Sequence, residues 1–189
     1  MTKIFTTLTA LLVSMLAFAQ PSMPTISTGG NEVYYYIQMQ RGQAVITSMG
    51  EDSKVQTAAP VASMKKRQTW KVIKKGDNYN IVNAAGQTLY YNTSLKFFCA
   101  GTQPNGVKDL KILKTTNTEY QGFEISTPGS GKTFLNQWGG AGVGYGLGLW
   151  VQGDSNNPLQ FVAINDMVIN DAKPTPINEV LSLTGSTTW

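Results

Sequence analysis

The strongest constraint on this chain is that its middle is written three times. An aromatic-x-Ile pattern occurs as Tyr35-Tyr36-Ile37, Tyr79-Asn80-Ile81 and Phe123-Glu124-Ile125, each copy 44 residues after the last. A glycine follows each and opens a matching stretch: Gly42-Gln-Ala-Val-Ile46, Gly86-Gln-Thr-Leu-Tyr90 and Gly131-Lys-Thr-Phe-Leu135. The copies close on alternating apolar runs, Trp70-Lys-Val-Ile73, Leu110-Lys-Ile-Leu113 and Phe161-Val-Ala-Ile164. A repeat this short is one supersecondary unit that buries its apolar face only against its neighbours.

Each copy reads as strands and turns. Two large side chains at spacing two share one face of a strand. Glycine at the turn permits positive φ, and the following run returns along the first as a hairpin. Between residues 31 and 165 no segment sustains a 3.6-residue apolar period with caps. Three β-only copies of about 45 residues predict an all-β β-trefoil with four strands per copy. A propeller and an open sandwich are the other candidates, and a propeller needs a fourth blade at this repeat length. The copies span about 31–76, 77–120 and 121–165.

The ends read differently. Lys3 precedes an uncharged, mostly apolar run from Ile4 to Phe18, and Ala17-Phe18-Ala19 is a small-x-small cleavage signal. Residues 1–19 are therefore expected to be a signal peptide, with 20–30 a linker and the chain secreted to the periplasm, the exterior or the cell surface. No segment approaches the ~20 apolar residues of a membrane-spanning helix. Residues 166–189 carry Pro174 and Pro176 and read as a C-terminal linker or tail leading outward.

Composition then removes whole classes of chemistry. The 189 residues include no His and one Cys. No Ser-His-Asp or Cys-His relay can be assembled, and the commonest zinc and haem ligand is missing. A single thiol excludes an internal disulfide or a thiolate cluster. The net charge of +4 is mild, with basic clusters only at Lys65-Lys66-Arg67 and Lys74-Lys75, so a nucleic-acid groove is not expected.

The repeats resemble ricin-type β-trefoil lectin domains, whose copies characteristically end in Gln-x-Trp. Gln68-Thr69-Trp70 matches that signature, while Lys108-Asp109-Leu110 and Leu159-Gln160-Phe161 keep only the apolar residue. The Asn136-Gln-Trp-Gly-Gly140 segment is also similar to trefoil modules attached to secreted bacterial glycan-degrading enzymes. The resemblance covers roughly residues 31–165. It implies a lectin-like module, with a tethered catalytic domain as a possible partner.

Binding chemistry concentrates in the third copy, where six of the ten residues 139–148 are glycine. Sugar recognition needs an apolar face for the C–H side of the ring, plus amides or carboxylates for its hydroxyls. Trp138 and Trp150 are candidates for the face. Asn136, Gln137, Asp154, Asn156 and Asn157 are candidates for the polar groups. In the ricin-type pattern an acidic residue stands early in the copy, and here Asn136 takes that place. Tyr90-Tyr91-Asn92 is a second candidate, and Trp70 is expected in the core.

Two other motifs fail. Pro128-Gly-Ser-Gly-Lys-Thr133 suggests a phosphate loop, but Ser126 stands where its first glycine is required. Cys99 in Phe97-Phe-Cys-Ala100 has no histidine partner and reads as a buried, inert thiol. Glu124, Asp109 and Asp154 are carboxylates that nothing in the sequence brings to one glycosidic bond. The sequence therefore points to a secreted carbohydrate-binding module without catalytic residues, metal or cofactor. A protein-binding or purely structural trefoil is the alternative.

Overall fold

A computed structural model describes residues 21–167 of the chain. The expected signal peptide, and the tail from residue 168, lie outside the described residues. Thirteen strands form one continuous sheet. The first copy contributes β1 (Tyr35–Met39), β2 (Val45–Thr47), β3 (Ser53–Lys54), β4 (Gln56–Ala58) and β5 (Thr69–Lys75). The second contributes β6 (Asn78–Asn83), β7 (Thr88–Asn92), β8 (Phe97–Gly101) and β9 (Lys111–Lys114). The third contributes β10 (Phe123–Ser126), β11 (Phe134–Gln137), β12 (Leu147–Trp150) and β13 (Leu159–Ala163).

The first and last strands of each copy close a ring in the order β1, β5, β6, β9, β10, β13 and back to β1. Closure between β6 and β9 runs through Tyr79 and Leu110, whose amides donate to each other's carbonyls at 2.7 and 2.9 Å. Full closure leaves this ring without the unpaired edge that an open sheet exposes. The remaining long strands form one hairpin per copy, β2–β4, β7–β8 and β11–β12. Their inward residues Ile46, Leu89 and Leu135 meet Ile37, Ile81 and Ile125 of the ring in a single buried core.

The pairing corrects the sequence alignment of the copies. Tyr35 pairs with Trp70, Tyr79 with Leu110 and Phe123 with Leu159. Leu159, rather than Phe161, is therefore the third equivalent of Trp70. Phe161 matches Val72 and Ile112, since these three oppose Ile37, Ile81 and Ile125 respectively. Alternating apolar runs look alike when shifted by two, because a shift of two keeps every side chain on its face. The same counting sets Ile46 beside Leu89 rather than Tyr90, one residue away from the sequence match.

Trp70 is buried, as expected, and its indole N–H donates to the Ile46 carbonyl at 2.9 Å. A four-residue helical turn, α1 (Lys65–Gln68), follows a 3-10 turn at Ala62–Met64 and delivers Gln68 into the interior; a second 3-10 turn, Ile164–Asp166, follows β13. Part of the stretch read as a linker also lies on the barrel. Pro24 and Ser27 are buried, the Ser27 amide donates to the Val72 carbonyl at 2.8 Å, and Ile26 packs against the core. Among the described residues no helix is long and apolar enough to cross a membrane.

Candidate functional site

The hairpin β11–β12 carries what the other two hairpins lack. Four residues beyond the strand positions Val45, Thr88 and Phe134 stand Met49, Asn92 and Trp138. Opposite those same strand positions stand Ala58, Gly101 and Trp150. Only the third copy thus places indoles at both sites.

Trp138 is 48% exposed. Its ring meets Trp150 edge-on, with centroids 5.6 Å apart and planes at 76°. The Lys132 ammonium sits 3.6 Å from the Trp150 ring centroid, a cation–π contact that fixes one face of that indole. The two rings open onto a shallow cavity of about 420 Å³, lined also by Asn136, Gly139, Asp154 and Asn156. Asn136 donates from Nδ2 to Asp154 Oδ1 at 2.9 Å and to Asn157 Oδ1 at 2.8 Å. The Asn156 amide donates to the same Asp154 oxygen at 2.9 Å. Asp154 Oδ2 receives no hydrogen bond from any described residue. Arg41, from the first copy, donates to Ser155 Oγ and Asn156 Oδ1, both at 3.0 Å. The cavity therefore offers an indole face, a carboxylate oxygen and amides in fixed positions.

The other two candidates lie beneath this surface. Gln137 is buried, donating to the Arg41 carbonyl at 3.0 Å and accepting from the Gly142 amide at 3.1 Å. Asn157 is also buried, and its Nδ2 donates to the Val151 carbonyl at 2.7 Å. The corrected register explains this: Asn157 stands two residues before Leu159, as Gln68 stands two before Trp70. Gln68 donates to Thr47 Oγ1 at 3.1 Å, and Thr47 occupies the place of Asn136. Gln68 also donates to the Ala59 carbonyl at 2.8 Å and accepts from the Val61 amide at 2.9 Å. Asn157 thus braces the third hairpin as Gln68 braces the first. The shared feature was invisible in sequence because the residue type changes and the apparent alignment was two residues off.

The glycine-rich stretch is more than a loop. It crosses to the first copy, where the Gly144 amide donates to Thr57 O at 2.7 Å and the Thr57 amide to Tyr145 O at 2.9 Å. A Cβ on Gly42, which has φ +79°, would fall on the Gly142 backbone. A Cβ on Gly148 would lie 3.2 Å from Trp138 Cε3. Glycine here lets one backbone approach another and lets the Trp138 ring lie against β12.

Elsewhere the sequence expectations meet ordinary packing. Tyr90 is buried and donates to Asp52 Oδ1 at 2.9 Å, and burial pushes its phenol up to about 12. Asn92 caps its own turn, accepting from the Ser94 and Leu95 amides at 3.0 and 2.9 Å. Residues 128–133 form the β10–β11 turn, and a strand follows. Cys99 is buried, and burial pushes its thiol pKa up. Glu124 is also buried, accepting from Thr115 Oγ1 at 2.9 Å and the Gly153 amide at 3.0 Å, with Oε2 unpaired. Burial raises its pKa, against the opposing effect of those two donors and of the neighbouring Asn157 amide. Asp109 accepts from Asn80 at 2.8 Å. Neither Glu124 nor Asp109 lines the cavity. Among the described residues no three His, Cys, Asp or Glu side chains are grouped to hold a metal.

The closed ring, three hairpins and threefold register define a β-trefoil fold. Similar solved structures include the Macrolepiota procera ricin B-like lectin in complex with lactose, at TM-score 0.55 and 21% identity, covering 74% of this chain and 99% of the lectin. The Rhizoctonia solani agglutinin aligns at TM-score 0.57 and 14% identity, covering 74% and 99%. A Clostridium perfringens endo-β-galactosidase releasing GlcNAcα1-4Gal aligns at TM-score 0.56 and 12% identity, covering 70% of this chain and 32% of the enzyme. No protein-family model and no curated protein matches the sequence.

Proposed function

We propose that this chain is a secreted carbohydrate-binding module that holds glycan non-covalently in the third copy. The observation that carries this reading is the half-exposed Trp138, set edge-on to Trp150 above an open cavity ringed by Asn136, Asp154 and Asn156. A sugar ring stacks its C–H face on an indole and exchanges hydroxyl hydrogen bonds with the carboxylate and amides. Asp154 Oδ2 is the acceptor left open for a hydroxyl. From below, Asn157 holds Asn136 and the 151–157 segment in place, and Gln137 ties the glycine-rich stretch to Arg41 of the first copy. The charged, apolar and cleavable order of residues 1–19 supports export. The fold's likeness to part of a glycan-cleaving enzyme supports a role as the accessory domain of a glycoside hydrolase, with catalysis residing in that partner.

A glycan array probed with the chain from Gln20 onward tests the reading, repeated with Trp138→Ala and Trp150→Ala. Signals on a subset of glycans that Trp138→Ala abolishes are the expected result. Silence across the array leaves a protein-binding or structural trefoil as the better reading, and signals that survive both changes overturn the third-copy site. Turnover of chromogenic glycosides by the purified chain would overturn the non-enzymatic part.

A further inference from the structure

Trp138 walls a second cavity. This one, of about 190 Å³, is lined by Tyr91, Lys96, Phe97, Trp138 and Leu149, so it lies between the second and third copies. Trp138 is the one residue common to both linings. Trp150, Trp138, Phe97 and Tyr91 thereby supply aromatic surface to the two cavities, with Trp138 shared between them.

The backbone of the third hairpin passes directly against two of these rings. Gly146 and Gly148 flank Leu147 in β12. A Cβ on Gly146 would lie 3.0 Å from Phe97 Cε1, and one on Gly148 would lie 3.2 Å from Trp138 Cε3. Both rings therefore rest on bare backbone, where any larger residue would displace them. Two of these rings carry a cation on one face. Lys132 covers Trp150 at 3.6 Å, and Lys54 covers Phe97 at 4.1 Å from the ring centroid. Lys96 holds φ +59°, a left-handed conformation uncommon for a residue with a Cβ, at the turn that leads into Phe97.

We propose that the two cavities are consecutive subsites of one site, and that the ligand is an oligosaccharide of at least two sugar units lying across Trp138. The inference rests on the carbohydrate-binding reading and extends it. The first unit occupies the cavity with Asn136 and Asp154, where hydrogen-bonding groups are concentrated. The next stacks against Phe97 and Tyr91, where apolar ring surface dominates. Linked units bind the second cavity intramolecularly once the first is engaged, so affinity rises with chain length without new polar contacts.

The test is an array of defined mono-, di-, tri- and tetrasaccharides of the common hexoses and N-acetylhexosamines, with titration calorimetry on each hit. Within a hit series, the disaccharide is expected to bind at least tenfold more tightly than its monosaccharide. Phe97→Ala should erase that gain while leaving monosaccharide affinity within twofold. Lys96→Gly serves as a second variant that relieves the backbone at that turn; it should retain the fold and reduce the gain. Equal affinity for mono- and disaccharide, or a gain untouched by Phe97→Ala and Lys96→Gly, overturns the two-subsite proposal and leaves the single-site reading standing. Absence of any saccharide binding overturns both.

Discussion

Asn157→Ala separates a residue that braces the site from one that touches ligand. Asn157 is fully buried and makes two side-chain hydrogen bonds, to the Val151 carbonyl at 2.7 Å and from Asn136 at 2.8 Å. A net contribution of about 1 kcal/mol per bond gives ~2 kcal/mol, and leaving partners unsatisfied adds up to ~1 kcal/mol more. The expected loss is therefore about 2–3 kcal/mol, or roughly 5–10 °C in melting temperature for a chain of this size. Urea unfolding followed by tryptophan fluorescence reads it directly. Gln68→Ala in the first copy should cost as much or more, since Gln68 makes three bonds of the same kind. Loss of saccharide binding is expected to accompany the Asn157 change, because Asn136 and the 151–157 segment lose their tie. A stability loss below ~1 kcal/mol, with binding nevertheless abolished, would refute the bracing argument and make Asn157 a ligand contact.

Two further outcomes follow from the same geometry. Burial raises the folded-state pKa of Glu124 above its ordinary 4.5, so the folded chain binds that proton more tightly than the unfolded chain does. Stability attributable to this group is full below about 4.5 and declines as pH rises through the raised value, and Glu124→Gln should flatten that slope in urea melts taken from pH 4 to 8; an unchanged slope would mean another group sets it. Gly42→Ala should destabilise by more than ~2 kcal/mol, because the position combines φ +79° with direct contact on the Gly142 backbone. A near-neutral effect in thermal melts would show that the glycine-rich crossing yields easily.

Much of the fold was legible before any coordinates. The repeated aromatic-x-Ile and glycine markers placed β1, β6 and β10 and their turns, since strand period and turn chemistry are local properties. The closing strands were found but their third register was not. A two-residue slip conserves the inside-outside pattern of an alternating run, so local hydrophobicity is blind to it. Only the pairing of Phe123 with Leu159 decides it. The docked Pro24–Ser27 segment escaped for a related reason: its hydrogen bond to Val72 joins distant parts of the chain and leaves no periodic trace.

The same division holds at the candidate site. Residue types sufficed to single out the third copy, because two tryptophans and a cluster of amides and carboxylate are chemical facts of the sequence. Which of them reach the surface was settled by the hairpin's packing. Trp138, Asn136, Asp154 and Asn156 line the cavity, while Gln137 and Asn157 turn inward to satisfy backbone groups that would otherwise be buried unpaired. Tyr91, Phe97 and Lys96 carry no sequence signal that links them to Trp138, and they join it only because the second hairpin lies beside the third. By itself the sequence determined the β architecture and marked the third copy as the candidate site, both from patterns along the chain. The tertiary structure decided register, exposure and the neighbours of Trp138, which depend on contacts between segments far apart in sequence.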